Sequence, residues 1–312
     1  MLKCPSFNID TYLERIGYSG SKTPNLENLT KLCWCQATSV PHDTLDIFGG
    51  LRKTLNLDKI YNDIVIKYRG GFCYEQNGLF GVLLEALGYS LTLLEGSCFI
   101  YSIDQFSSRF DHLLFKVVID DQAWIVDVGY GMPSFFEPMK FNVMTPQTQM
   151  TGIYRFRKGS DCDYYIEKKL KQTFSLNDGK ELKRKFKHSK TYSIGDDWEL
   201  ICKFSNTPRQ WKDFQVGLDH HLNDDNGFYT NNTFLEIFTE RGVFVLWGTK
   251  LVEKEFISPM IEKIRCTEML PENGDEEESK RRIVELMKKR FGVEVDFWPD
   301  FKSKNWSRLT FE

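Results

Sequence analysis

The spacing of apolar residues changes at Gly88, and that change restricts the chain to a mixed fold with its helices first. Before it, apolar side chains recur at three and four, as at Tyr12 and Ile16 and again at Leu79, Phe80, Leu83, Leu84 and Leu87, which is the spacing of helices with one buried face. Asp10 is the expected N-cap of the first helix. Pro24-Asn25-Leu26-Glu27 opens a second, and a third is expected over 57–68, stopped by Gly70-Gly71. After Gly88 come short runs rich in Val, Ile, Phe, Tyr and Thr, at 92–101, 112–119, 123–128, 152–156, 164–168 and 200–204, which read as strands of a barrel or strongly curled sheet. Strands return at 234–238, 243–247 and 250–256, followed by an acidic-then-basic helix over 274–291 that Gly292 should end. The stretch 168–190, dense in lysine, is expected to be an exposed insertion. The sum is an α+β fold: helices, then β structure, then a smaller α/β unit.

Composition narrows the class of partner. With 41 basic against 44 acidic residues and a net charge of −3, the chain has no long-range attraction for polyanions, so a small molecule is expected rather than nucleic acid. The first eighteen residues lack a signal-peptide core, and no run approaches the roughly 18 apolar residues of a membrane span. The eight scattered cysteines suit reduced thiols better than a disulfide framework. The reading is a soluble, cytoplasmic protein. Cys33-Trp34-Cys35 has no second pair beside it and is read as helix packing rather than zinc ligation. His220-His221, with Asp224 and Asp225 nearby, is read as an interdomain loop rather than a metal site, because adjacent side chains point apart. No phosphate-cradling glycine motif is present.

The segment Arg69-Gly70-Gly71-Phe72-Cys73-Tyr74-Glu75-Gln76-Asn77 carries the chemistry. Two glycines permit a tight turn, and Cys73 then begins the helix running through Leu79, Leu83 and Leu87. A thiol there feels the positive end of the helix dipole, which lowers its pKa from the free value of about 8.5. Such a nucleophile needs a base, and the base an orienting carboxylate. His112 starts the run His112-Leu113-Leu114-Phe115, which turns at Asp120-Asp121 and returns as Ile125-Val126-Asp127. If the turn is a two-residue loop, facing residues sum to an odd constant. His112 and Asp127 then share one face at the open end of the hairpin, paired or diagonal, within roughly 5–8 Å. Taken singly, each is an ordinary packing residue; together, they point to thiol catalysis.

These segments resemble the arylamine N-acetyltransferase family. Tyr12-Leu13-Glu14-Arg15-Ile16-Gly17-Tyr18 is similar to its opening helix, residues 69–77 to its nucleophile motif, and Asp111-His112-Leu113-Leu114 with Ile125-Val126-Asp127-Val128-Gly129 to its remaining triad positions. The resemblance covers nearly the whole chain. It implies a helical domain over 1–88, a β-barrel domain over 89–208, an interdomain segment over 209–240 and an α/β lid over 241–312, with a Cys-His-Asp arrangement like that of cysteine proteases. It further implies a monomer that moves an acetyl group from acetyl-CoA, without a metal, to an arylamine or hydrazine nitrogen, or to the oxygen of an N-hydroxyarylamine. The route is ping-pong through acyl-Cys73, with His112 as base and Asp127 as orienter. Arg69, Asp43 and Asn77 take supporting positions; Ser107, Ser108, Phe228 and Thr310 resemble CoA contacts. His42, Cys98, Tyr130 and Met132 occupy acceptor-pocket positions, where His42 replaces an aromatic residue and Asp43 a glutamate. Propionyl-CoA or malonyl-CoA is an alternative donor. A papain-like or transglutaminase-like hydrolase shares the residue order, and an inactive scaffold is the non-enzymatic reading.

Overall fold

A computed structural model describes residues 2–101, 103–159, 163–183, 197–225, 227–270 and 275–295. Five helices precede the main sheet: α1 (Ile9–Arg15), α2 (Leu26–Ser39), α3 (Leu45–Phe48), α4 (Leu57–Tyr61) and α5 (Cys73–Ala86). The cap of α1 is Asn8, not Asp10: the Asn8 side chain accepts the Thr11 N–H. Asp10 lies inside the first turn, where its charge favours the helix dipole. Asn25 caps α2, accepting from Asn28 N–H. The expected third helix is α4 continued by a π-helical turn, Asn62–Ile66.

The larger sheet contains β2 (Ser90–Ile100), β3 (Gln105–Phe106), β4 (His112–Ile119), β5 (Gln122–Val126), β6 (Met139–Lys140), β7 (Gln147–Gln149), β8 (Gly152–Lys158), β9 (Asp163–Lys169) and β11 (Trp198–Ser205). Their order is β6-β5-β4-β2-β11-β9-β8-β7, with β3 on β2. Side chains bring the two edges together. The Gln147 amide donates to the Lys140 carbonyl (3.0 Å) and accepts from its N–H (2.8 Å), and Gln149 does the same to Glu137, at 2.7 and 3.2 Å. The sheet thus curls into a barrel filled by Leu94, Leu114, Ile125, Tyr154, Phe156, Ile166 and Phe204. Alternate residues Leu113, Phe115 and Val117 point outward and join Leu79, Phe80 and Leu83 of α5 in a second core, as the two-residue period of a strand requires.

The second sheet has the order β1-β12-β13-β14-β15-β10, built from β1 (His42–Asp43), β10 (Gln172–Ser175), β12 (Phe234–Thr239), β13 (Gly242–Trp247), β14 (Lys250–Ser258) and β15 (Ile261–Glu268). Its edge strand β10 corrects the first part of the expected exposed insertion over 168–190, while residues 177–181 are exposed as expected. β10 pairs in parallel with β15, and Lys168 and Lys171 are buried. Their ammonium groups find partners inside: Lys168 donates to the Pro133 carbonyl (2.9 Å), and Lys171 sits 4.5 Å over the Phe256 ring. Lysine content alone misses this, because the long stems can bury while the heads pair. Residues 184–190 of that stretch lie outside the described residues. Two short helices, α6 (Gln215–Asn223) and α7 (Phe228–Asn231), lie between β11 and β12 in sequence.

The closing helix α8 (Glu276–Leu286) and its π-helical continuation Met287–Phe291 end at Gly292, which has φ 66°. Ile283, Met287 and Phe291 recur every four residues and pack on Leu235, Leu246 and Leu251. Ile283→Ala should therefore cost about 2–4 kcal/mol in urea unfolding while leaving the alkylation rate of Cys73 unchanged, since this core does not touch the thiol.

Candidate active site

Cys73 is the first residue of α5, and the Glu75 carboxylate reaches back to the Phe72 N–H (3.3 Å). An ion-pair chain holds this turn from beneath. Lys53 bridges Glu75 (3.1 Å) and Asp46 (2.9 Å), and Arg69 bridges Asp46 (2.8 Å) and Asp43 (3.4 Å). Arg69 and Asp43 do meet, although the shorter contact goes to Asp46. The chain of charges ties β1 to the nucleophile turn.

The β4–β5 hairpin has the two-residue loop, with Ile119 opposite Gln122 and Phe115 opposite Val126. Asp120 and Asp121 both have positive φ, 48° and 60°, as the right-handed twist of a tight hairpin demands. Continued outward, this register sets His112 opposite Gly129, so Asp127 is its diagonal neighbour on the barrel-facing side. His112 Nε2 lies 2.7 Å from Asp127 Oδ2. The other carboxylate oxygen accepts from Asn77 Nδ2 (2.8 Å), Gly129 N–H (3.0 Å) and Tyr130 N–H (3.1 Å). Asn77 also donates to the Leu113 carbonyl (2.6 Å) and accepts from Val128 N–H (2.9 Å). A Cβ on Gly129 would come within 2.7 Å of the Cys73 carbonyl, so the close approach of hairpin and helix requires glycine there.

The Tyr229 hydroxyl lies 3.7 Å from Cys73 Sγ, and the His112 and His221 imidazoles are near enough to act on the thiol. Burial pushes the thiol up, but the hydrogen bonds and charges of the two imidazoles outweigh it and hold Cys73 below its ordinary value. Burial opposes protonation of His112, yet the Asp127 charge and the bonds to Asp127 and Cys73 raise it to about 10. The site is thus arranged for a thiolate beside an imidazolium.

The other candidate residues divide. His42 lies at the site: its Nδ1 is 3.2 Å from the Gly129 carbonyl, and its ring stacks on Tyr229 and meets the edge of Phe234. Burial pulls it down to about 4, so it is neutral at pH 7 and Nε2 carries a lone pair. Tyr130 packs edge-on against His112 (5.0 Å) and donates to the Ile201 carbonyl (2.8 Å). Cys98 faces Cys202 across β2 and β11, and burial raises its thiol. Met132 packs farther off, toward Phe136 and Trp247, and its N–H donates to Glu236 (2.7 Å). Ser107 gives its hydroxyl to Asp111 (2.6 Å) and accepts from Cys98 N–H, and the Ser108 carbonyl accepts from Ser97. Phe228 packs on Phe234 and Trp247; its neighbour Tyr229 reaches the sulfur instead. Thr310 lies outside the described residues.

His221 corrects the interdomain-loop reading. It sits on α6, buried with Phe214, Gly217 and Leu218, at spacings of three, four and seven that the sequence already contains. A histidine in the buried row hid the helical pattern. Among the described residues no group of three His, Cys, Asp or Glu is placed to hold a metal ion, and no helix is long and apolar enough to cross a membrane. Asn77→Ala should cost about 2–4 kcal/mol in denaturant unfolding, because it strips partners from the Leu113 carbonyl, the Val128 N–H and a buried carboxylate. A loss below about 1 kcal/mol would show that these bonds do not hold hairpin and helix together.

The N-acetyltransferase family model matches residues 25–299. The pineal gland isozyme NAT-3 of arylamine N-acetyltransferase from Gallus gallus is 32% identical over 255 residues, spanning 80% of this chain and 84% of the relative. Arylamine N-acetyltransferase 1 of Mesocricetus auratus is 28% identical over 293 residues, spanning 93% and 95%. The Mycobacterium marinum arylamine N-acetyltransferase in complex with CoA superposes with a TM-score of 0.74 at 20% identity, covering 92% of this chain and 93% of that one. The Salmonella typhimurium enzyme gives 0.75 at 18% identity, covering 95% and 94%; these two likenesses concern the fold. Helices leading into a barrel, with a helix-initial cysteine beside a histidine and an aspartate, match what the resemblance implied, and the chain belongs to the arylamine N-acetyltransferase family of acyltransferases.

Proposed function

We propose that the chain moves an acetyl group from acetyl-CoA to the nitrogen of an arylamine or hydrazine in two steps through acetyl-Cys73, acting as a cytoplasmic monomer. The observation that carries this is the thiol at the N-terminus of α5, beside a His112 whose Nε2 is 2.7 Å from Asp127. In the first step the Cys73 thiolate attacks the thioester carbonyl carbon. The bond to the CoA sulfur breaks, and that sulfur takes the proton of the His112 imidazolium. In the second the amine attacks the acetyl carbonyl, the bond to Sγ breaks, and the nitrogen's proton passes to the now neutral His112. Asp127 holds the ring in one orientation and stabilises its charged form.

The supporting roles follow from contacts. Asn77 holds Asp127, and Arg69 with Asp43 braces the turn. The loop of Ser107 and Ser108 is assigned to the CoA side; because the Ser107 hydroxyl is spent on Asp111, it shapes that loop. Phe228 supports Tyr229 from behind. On the acceptor side, neutral His42 offers a lone pair to an amine N–H, with Tyr130 and Cys98 as walls and Met132 at the margin. The helical, barrel, interdomain and lid divisions at residues 88, 208 and 240 fit this scheme, with the thiol on the first and its partners on the second.

Acetyl-CoA without acceptor should leave one acetyl group on Cys73, seen by intact mass and peptide mapping. Cys73→Ala should show none, and Asp127→Asn should slow transfer about 10³-fold or more. Absence of an adduct with acetyl-, propionyl- and malonyl-CoA alike would sink the proposal; a preference for propionyl- or malonyl-CoA would keep the chemistry and change the donor.

A further inference from the structure

The mechanism above uses one of the two imidazoles at the sulfur. His221 comes from α6, is 9% exposed, and has a partner of its own: Nε2 lies 2.8 Å from the Asp111 carbonyl and 3.7 Å from its carboxylate. A carbonyl only accepts, so Nε2 carries the proton, and in the neutral ring the lone pair is on Nδ1. Asp111 is fixed in turn by the Ser107 hydroxyl (2.6 Å). The residue before it, Phe110, has φ 59°, a conformation that costs a bulky side chain energy and persists only when the surroundings impose it. Gly217, one turn before His221, brings α6 in: a Cβ there would overlap the Phe110 carbonyl and the Tyr74 hydroxyl. The ring is then clamped edge-on by Phe72, Tyr74 and Tyr229, at 6.1, 5.5 and 4.9 Å. The ring is thus held among the residues that surround the thiol: Phe72 and Tyr74 flank Cys73 in sequence, and the Tyr229 hydroxyl is 3.7 Å from its sulfur.

We propose that His221, held by Asp111, is a second catalytic imidazole of Cys73, which donates a hydrogen bond to the sulfur and receives it as a thiolate when the acetyl group leaves. The inference rests on Cys73 being the nucleophile. After the first step His112 has given its proton to CoA and must stay neutral to accept one from the amine. During the second step the C–S electron pair returns to Sγ before His112 is fully charged. A protonated His221 supplies a cation at that moment without competing for the amine proton. The groups facing it are Cys73 and Tyr74 on α5, Asp111 before β4, Tyr229 on α7, His42 on β1 and its neighbour His220. Burial disfavours its charge, but Cys73 and the nearby Asp111 raise it to about 9 in the free enzyme. In acetyl-Cys73 the Asp111 carbonyl and carboxylate, at 2.8 and 3.7 Å, remain to favour the imidazolium.

The test is iodoacetamide alkylation of Cys73 against pH, which needs no CoA, on the full chain and on His112→Asn, His221→Asn and the double variant. With two imidazoles, each single variant moves the midpoint up part of the way, and only the double variant behaves as an ordinary buried thiol. Superposition of His221→Asn on the unsubstituted protein would overturn the proposal. Asp111→Asn keeps the carbonyl and the shape, so it serves if His221→Asn does not fold; it should shift the midpoint in the same direction by less, and no shift would again refute the role. In single turnover, His221→Asn should slow transfer from acetyl-Cys73 to an arylhydrazine by on the order of ten- to a hundredfold, the effect of one hydrogen bond to a charged atom, and slow acetylation less. Equal slowing of both half-reactions would mark a structural role instead. Failure of acetyl-CoA to label Cys73 would remove the acyl-transfer reading while leaving the alkylation result intact.

Discussion

A carboxylate buried as deeply as Asp127, 1% exposed, is tolerable only when nearly every lone pair is occupied, because an uncompensated charge in such a place costs several kcal/mol. Four donors meet it: the His112 ring, the Asn77 amide and the N–H groups of Gly129 and Tyr130. Those donors belong to β4, α5 and the segment after β5. Satisfying one charge therefore locks the helical layer to the barrel and sets the orientation of the imidazole. The Asn77 bonds to Leu113 and Val128 extend the same lock along both hairpin arms.

A second set of charges places the thiol within that frame. Glu75, Lys53, Asp46, Arg69 and Asp43 form a continuous chain from the first turn of α5 to β1. β1 in turn pairs with β12, so the second sheet is joined directly to the nucleophile turn. His42 rides on that strand and reaches the Gly129 carbonyl beside Asp127. The outcome is a site with three histidines in three electrostatic settings: one beside a carboxylate, one on a carbonyl with a more distant carboxylate, and one on a carbonyl where desolvation outweighs the Asp127 charge and keeps the ring neutral. At the sulfur, desolvation and hydrogen bonding oppose each other, and the bonds prevail.

Much of the architecture was readable from period alone. The break at Gly88 separates helices from strands, and the 112–119 run matches β4 residue for residue. The hairpin arithmetic needed only the two-residue turn at Asp120-Asp121 to bring His112 and Asp127 to one face. Where the reading failed, a residue's chemistry obscured its spacing. Lys168 and Lys171 look like surface and are interior, since burial of a lysine depends on what its head meets across the sheet. His221 looks like loop and is the buried face of a helix.

The amino-acid sequence by itself determined the principal helices of the first part and the principal strands that follow, that a cysteine begins a helix after a Gly-Gly turn, and that a histidine and an aspartate share one end of a hairpin. These are local properties, set by periodicity and turn chemistry over a few residues. Only the tertiary structure decided that Asp111 and His221, 110 positions apart, face each other, that Tyr229 rather than Phe228 reaches the sulfur, and that β10 closes the edge of a sheet formed by the end of the chain. Those contacts depend on how closely α6 can approach Phe110 past Gly217, and on which charges find partners when sheets and helices are stacked. Both are questions of packing and desolvation between distant segments, which no local pattern encodes.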